Sequence, residues 1–302
     1  MTLRAALHAR YLRKGATPTR AAVETTRDRI RIAFAQPSAR VIRAEGHAKF
    51  PADDHRPVAV FSHFDATGQI SDATLAYLEA LRSVASAIVF VTTSGDLTRV
   101  RQSADLAILR TNVGYDFGSW KVGLAAASEA IASRGVILAN DSVLGPRRPL
   151  APIFERMAGQ PFWGMTDSHE LAPHLQSYFL VATPATTSAP WFRQFWRSLC
   201  HLPNAYKFLV VRCYEVGLSQ LALANDVTPT AAFPVRDLAP PDTDLTVLNP
   251  TQHYWRELAT SPTFPFLKKG MLRPENREKH DAHDIDEIIA SEFSEKNLRP
   301  SA

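Results

Sequence analysis

The chain has 302 residues, of which 45% are hydrophobic and 21% charged, with a formal net charge of +4. These are the proportions of an ordinary soluble globular protein, long enough for one large α/β domain or two small ones. No run approaches the roughly 18–20 apolar residues that span a bilayer, and Arg4, His8, Arg10, Arg13 and Lys14 interrupt any apolar signal-peptide core.

Residues 1–50 hold eleven Lys or Arg against three Asp or Glu, so the positive excess belongs to this segment. It reads as a basic N-terminal extension. Either it lies against anionic lipid headgroups or it is a solvated helical extension packed on the domain. Nothing after residue 50 continues a basic stripe, so no nucleic-acid partner is expected. Residues 57–62 form a predicted buried strand, and helical apolar spacing follows over 71–84 with Ser71 or Asp72 as N-cap. Strands are predicted over 86–94, 104–112 and 136–141, with a helix over 117–135 that Gly135 closes. Continuous apolar strands alternating with helices predict an α/β fold with a mostly parallel, doubly wound sheet. Beyond residue 145 the alternation weakens. Residues 149–159 read as a helix, 161–183 as two strand pieces around a polar loop, and 190–200 and 212–226 as helices. From Arg273 the chain is charged and reads as a mobile tail.

In open parallel sheets ligands bind at the carboxyl ends of strands. Asn112 to Gly118 lies at one such end and Asn140-Asp141-Ser142 at the next, so two polar clusters are expected on one sheet edge. Gly114 and Gly118 let the backbone approach a ligand, and the helix starting near Phe117 offers free N–H groups to an anion. Asp141, ending an apolar strand, is placed to hold a hard divalent cation through oxygen. Together these suit a diphosphate. The plain alternative is a glycine-rich turn and a helix-capping aspartate. No GxGxxG follows the first strand, and GxxxxGK[ST] and GxSxG are both absent. Cys200 and Cys213 form no CxxC and no metal-type spacing, which suits a reduced cytoplasmic setting.

The segments RTNVGYDFGSWKVGL, ILANDSVLGP, FWGMTDS and HLQSYFL, in that order, resemble the rhamnan synthesis F family over roughly residues 55–270. The resemblance implies a GT-A-like glycosyltransferase domain over 51–272, between the basic extension of 1–50 and the charged tail of 273–302. It implies a nucleotide-sugar donor such as dTDP-L-rhamnose and a cell-surface polysaccharide or lipid-linked glycan as acceptor. The cytoplasmic face of the membrane, with peripheral contact through the basic N-terminus, is the implied setting. On this reading Asp141 coordinates Mg²⁺ or Mn²⁺, assisted by Asn140 and Ser142. Asn140-Asp141-Ser142 carries one carboxylate where GT-A enzymes have a DxD-like motif. Phe61, Ser62, His63 and Phe64 flank base and ribose, and Asn112, Gly114 and Asp116 line the phosphate side. Trp120 and Lys121 either point inward or pack. Inverting transfer needs a general base; Glu215, at a helix start, is preferred over Asp167, with a helix-dipole carboxylate as the plain alternative for Glu215. His174 and Gln176 are expected on the acceptor side. Lys268 and Lys269 either close over the diphosphate or form a solvated pair, and His253 is a further metal or phosphate candidate. Two rivals remain: a non-catalytic nucleotide- or glycan-binding subunit, and another α/β enzyme such as a nucleotidyl- or phosphotransferase.

Overall fold

The computed structural model describes residues 39–46, 53–200, 207–280 and 282–293. Most of the basic extension, residues 1–38 and 47–50, therefore lies outside the described residues. The strands are β1 (Val41–Gly46), β2 (Val58–His63), β3 (Ala87–Thr92), β4 (Leu106–Arg110), β5 (Val136–Asn140), β6 (Val143–Leu144), β7 (Phe162–Ser168), β8 (His174–Leu175), β9 (Phe179–Ala182), β10 (Thr230–Phe233) and β11 (Leu267–Lys268). The helices that position the site are α1 (Asp72–Arg82), α2 (Tyr115–Ala126), α3 (Ser128–Arg134), α4 (Pro190–Ser198), α5 (Val216–Leu223), α6 (Pro274–Lys279) and α7 (Ala282–Glu292).

The main sheet runs β1-β4-β3-β2-β5-β9-β7-β10, with β8 paired to β7. Strands β4, β3, β2 and β5 are mutually parallel, and their order reverses between β2 and β5. That is the switch point of a doubly wound sheet, where a crevice opens beyond the strand ends. Strand β9 lies antiparallel between β5 and β7, and β10 is parallel to β7.

Strands β2, β3 and β5 are buried on both faces, so their successive side chains enter two separate cores. Val58 and Val60 pack with α2 residues Phe117, Trp120 and Leu124, while Ala59 and Phe61 pack with α1 residues Tyr77, Leu78 and Leu81. Helix α1 starts where Ser71 accepts a hydrogen bond from the Thr74 N–H, as the capping signal predicts. Helix α2 lies very close to the sheet. A Cβ on Gly123 would stand 2.3 Å from Val60 Cγ1, so only glycine permits this approach.

Four expectations are corrected. The helix predicted over 117–135 starts earlier, at Tyr115, and breaks at Ala127 (φ −123°) into α2 and α3. Residues 41–46, read as extension, form an edge strand antiparallel to β4. The 161–183 region holds a third short strand, β8, which folds back on β7 at Asp167 and Ser168. The charged segment after Arg273 contains α6 and α7, and Ile285, Ile288 and Phe293 bury against Trp255 and Met271. Charge dominates its composition, but Ile285, Ile288 and Ile289, spaced three and four apart, supply an apolar stripe. Glu292 pairs with Arg147 and, at 3.0 Å, with Arg148, tying this end to the segment after β6.

Candidate functional site

The carboxyl ends of β2 and β5 bring together the two polar clusters that lie apart in sequence. Asn140 is their hub. Its Nδ2 donates to Asp116 Oδ2 at 3.0 Å and to the Ser177 carbonyl at 3.3 Å. Its Oδ1 accepts from Ser142 N–H at 3.1 Å and from Ser142 Oγ at 2.6 Å. With both ends of the amide engaged and only 2% of the residue exposed, Asn140 is a positioning group. Asp116 Oδ1 accepts from Ser62 Oγ at 2.9 Å, which joins the end of β2 to the first turn of α2.

The turn before α2 is built by Arg110, which sequence reasoning passed over. Its guanidinium is fully buried. It donates to the carbonyls of Thr111 (2.8 Å), Val113 (2.6 Å) and Tyr115 (2.7 Å), and twice to Ser119 Oγ (3.1 and 2.8 Å). Gly114 (φ +80°) supplies the left-handed conformation the turn requires, and Tyr115 follows at φ +50°, a conformation costing a non-glycine residue on the order of 1 kcal/mol. The available signal was the position itself: an arginine at the end of an apolar strand, nine residues before a serine on an apolar helix.

Lys268 reaches the hub from the other side. Strand β11 pairs antiparallel with β6, and Lys269 N–H donates to the Ser142 carbonyl at 3.0 Å. This places Lys268 Nζ 3.1 Å from Ser142 Oγ and 4.5 Å from the centroid of the Tyr178 ring. Glu215 closes the cluster. It ends a π-helical turn, Val211–Glu215, in which Tyr214 turns into the aromatic core beside Phe117 (5.7 Å between centroids). Glu215 Oε2 accepts from the Ser177 N–H at 3.2 Å and from the Ser177 hydroxyl, and Oε1 lies 3.4 Å from His174 Nε2. Ser177 was also missed. It lies within the HLQSYF segment, whose neighbouring Gln176 turns the opposite way.

The charged groups of the cluster stand close together at partly buried positions and shift one another's titration. Burial raises Asp116 above the ordinary aspartate range, against the Ser62 hydrogen bond and the charges of Lys268 and Arg110. Burial pushes Asp141 up to about 7, and the charge on Asp116 adds to this while Lys269 opposes it. Burial brings Lys268 down to about 8, although Glu215 and Asp116 favour its ammonium form. For Glu215, burial acts upward, but hydrogen bonds from His174 and Ser177 with the charges of His174 and Lys268 prevail and lower it. His174 is raised: burial opposes this, and the hydrogen bond and charge of Glu215 overcome it. Both shifts favour the imidazolium–carboxylate form of the pair.

Several candidates stand elsewhere or act indirectly. Phe61 is wholly buried in the core and faces no cleft. His63 is buried with its Nδ1 2.9 Å from Thr92 Oγ1, and burial holds it near 4, hence neutral at pH 7. Phe64, half exposed, lies at the rim, its N–H 3.4 Å from Asp141 Oδ2. Asn112 is exposed on the turn. Asp167 Oδ1 accepts the Val235 N–H at 2.6 Å, capping the short helix Val235–Leu238. Gln176 is buried between Thr166 Oγ1 (2.7 Å) and Asn249 Oδ1 (3.1 Å). His174 uses its other nitrogen on the Ala172 carbonyl at 2.8 Å, so its ring serves Glu215. Trp120 is core, with Nε1 donating to the Ala139 carbonyl at 3.0 Å. Lys121 caps helix α4 through the Leu199 carbonyl at 2.7 Å. His253 Nδ1 accepts the Asn249 N–H at 3.2 Å.

Fold and site together define an α/β protein with a doubly wound sheet and a partly buried cluster of opposite charges at its switch point. The rhamnan synthesis protein F (RgpF) family matches residues 89–291, and the chain belongs to that family. Virulence protein VirA of Vibrio anguillarum is 26% identical over 197 residues, covering 57% of this chain and 64% of VirA. An uncharacterized protein of Sinorhizobium fredii, y4gN, is 29% identical over 132 residues, covering 41% of this chain and 34% of y4gN. The chain thus spans less than two thirds of the length of either relative. No solved structure matches it. Family membership points to a role in polysaccharide biosynthesis. No helix among the described residues is long and apolar enough to cross a membrane.

Proposed function

We propose that the chain is a GT-A-like glycosyltransferase that moves a sugar from a nucleoside-diphosphate donor to a surface polysaccharide or lipid-linked glycan, with dTDP-L-rhamnose as donor. The observation that carries this is the Asn140 hub, which brings Asp116, Ser142, Ser177 and, through Ser142, Lys268 to one point beyond β2 and β5. A departing diphosphate needs its charge met by groups already in place. Lys268 supplies positive charge there below about pH 8 and Lys269 adds to it beside Asp141, and exposed Phe64 offers a ring at the rim for the base.

Among the described residues no three His, Cys, Asp or Glu converge as a metal cage. Mg²⁺ commonly takes one or two carboxylates, with phosphate oxygens and waters filling the remaining positions. Asp141, a carboxylate pushed up to about 7 by burial, fits that pattern, since a cation relieves the same cost that a proton does. Bound there with the donor, Mg²⁺ or Mn²⁺ would neutralise diphosphate charge. Asp116 and Ser142 would stand beside it, both fixed by Asn140.

Glu215 is the proposed general base. His174 and Ser177 keep it ionised and oriented, and its low pKa makes it a weak base in the free protein. Lys268 contributes to that lowering, so a diphosphate engaging Lys268 raises the basicity of Glu215 when the donor is bound. Asp167 is second: its carboxylate accepts the Val235 N–H, lies 3.6 Å from His169 and makes no hydrogen bond to the Asn140 cluster.

Thermal-shift titration with UDP, GDP, dTDP and CMP, with and without Mn²⁺, tests the reading. A nucleotide at one hundred times its Kd stabilises the fold by about 2.7 kcal/mol. Stabilisation by dTDP, strengthened by Mn²⁺ and weakened in Asp141→Ala, is expected. No response to any nucleotide would favour the second reading, a non-catalytic glycan-binding subunit, which the lone carboxylate of Asn140-Asp141-Ser142 keeps in view.

A further inference from the structure

We propose that Arg110 is a positioning residue of the candidate donor site: its guanidinium sets the 111–115 turn and thereby the placement of Asp116. The inference rests on the glycosyltransferase reading given above. A guanidinium has five N–H donors in a rigid planar fork. Here all five are used inside one short stretch, on three successive alternate carbonyls and on Ser119. Arg110 spans the junction of β4 and α2, and its last carbonyl partner, Tyr115, immediately precedes Asp116. The left-handed Gly114 and Tyr115 are fixed by the same contacts. On the other side, Asp116 is held by Ser62 and Asn140, so its carboxylate is located from both ends. The turn has an outer tie as well, since Thr111 exchanges hydrogen bonds with Arg40 beside β1.

The fork, more than the charge, is the property required. Lysine at this position keeps a positive charge but offers three donors from one point, which cannot reach carbonyls on both sides of the turn.

The test uses the full chain as wild type, Arg110→Lys and Ser119→Ala. Amide hydrogen exchange is read over 111–118, with 58–63 and 87–92 as internal references, and the Kd of the nucleoside diphosphate selected by the thermal-shift panel is measured by calorimetry. Arg110→Lys is expected to speed exchange over 111–118 at least tenfold, leave β2 and β3 unchanged, and weaken nucleotide binding at least tenfold. Ser119→Ala, which removes one acceptor, should move both readouts the same way by about threefold. Exchange that rises equally in the reference strands, or a nucleotide Kd within twofold of wild type in both variants, would overturn the positioning role while leaving the transferase reading intact. A wild-type chain that binds none of the nucleotides would end the transferase reading itself, and the donor role of Arg110 with it.

Discussion

Replacing Asp116 separates its hydrogen bonds from its charge. The carboxylate accepts Ser62 Oγ–H at 2.9 Å and Asn140 Nδ2–H at 3.0 Å, and both donors belong to residues only 2% exposed. Asp116→Ala leaves two buried donors without an acceptor, at about 1–3 kcal/mol each. Relief of the buried charge returns part of that, so a net loss of roughly 2–4 kcal/mol is expected, about 3–8 °C in melting temperature for a chain of this size. Asp116→Asn behaves differently. Its amide oxygen accepts from Asn140, its NH₂ donates to Ser62 Oγ, and stability stays within about 1 kcal/mol of wild type. Differential scanning fluorimetry of the three proteins at pH 7 measures the difference. If Asp116→Ala and Asp116→Asn melt together, the carboxylate is not the junction of β2, β5 and α2, and the reasoning fails. A second consequence tests the charge. Asp116 supports the ammonium form of Lys268, so nucleotide binding in Asp116→Asn should be lost at a lower pH than in wild type.

Lys268 and Asp141 give two further pH dependences. Burial lowers Lys268 from 10.5 to about 8, so its charge is lost as pH rises through 8, and nucleotide affinity should fall across that range. A Lys268→Arg variant keeps its charge throughout and should flatten the profile measured by calorimetry between about pH 6.5 and 9.5, because a guanidinium does not titrate there; an unchanged profile would remove Lys268 from the diphosphate site. Asp141 is raised from 3.8 to about 7, so the stability associated with its neutral form is full below pH 3.8 and lost as pH rises through 7. Asp141→Asn removes the buried charge and should raise the melting temperature more at pH 8 than at pH 5. Equal gains at the two pH values, or a loss at pH 8, would mean that Asp141 is not destabilised by burial.

The predicted elements that matched best are those whose apolar pattern is local. Strands β2, β3, β4 and β5 are continuous runs such as VAVF and AIVFV, and a run of that kind specifies a strand covered on both faces whatever its neighbours are. Ser71 capping α1 and Gly135 closing α3 are equally local, each set by one residue's hydrogen bonding or backbone freedom. The four motifs that resemble the family also lie in the sequence itself. Misreadings came where composition hid geometry. The charged stretch after Arg273 reads as a tail because its apolar stripe is three isoleucines and a phenylalanine, which matter only against Trp255 and Met271.

Within the site, sequence identified the two clusters at strand ends, because a doubly wound order makes those ends converge. It did not show which member of each cluster faces which. Asn140 and Ser142 become internal braces, Gln176 turns into a buried network, and Ser177 beside it joins Glu215. Lys268 lies 126 residues after Ser142, and only the pairing of β11 with β6 brings them to 3.1 Å. Arg110 looked like the end of a strand; only the closed turn reveals a guanidinium at its centre. Hydrophobic periodicity is written along the chain, whereas a hydrogen-bonded cluster depends on distances between segments that the chain order leaves free. The sequence by itself therefore determined the strands, the caps and the sheet edge that carries the site, and the tertiary structure decided which side chains meet there and what charge each one holds.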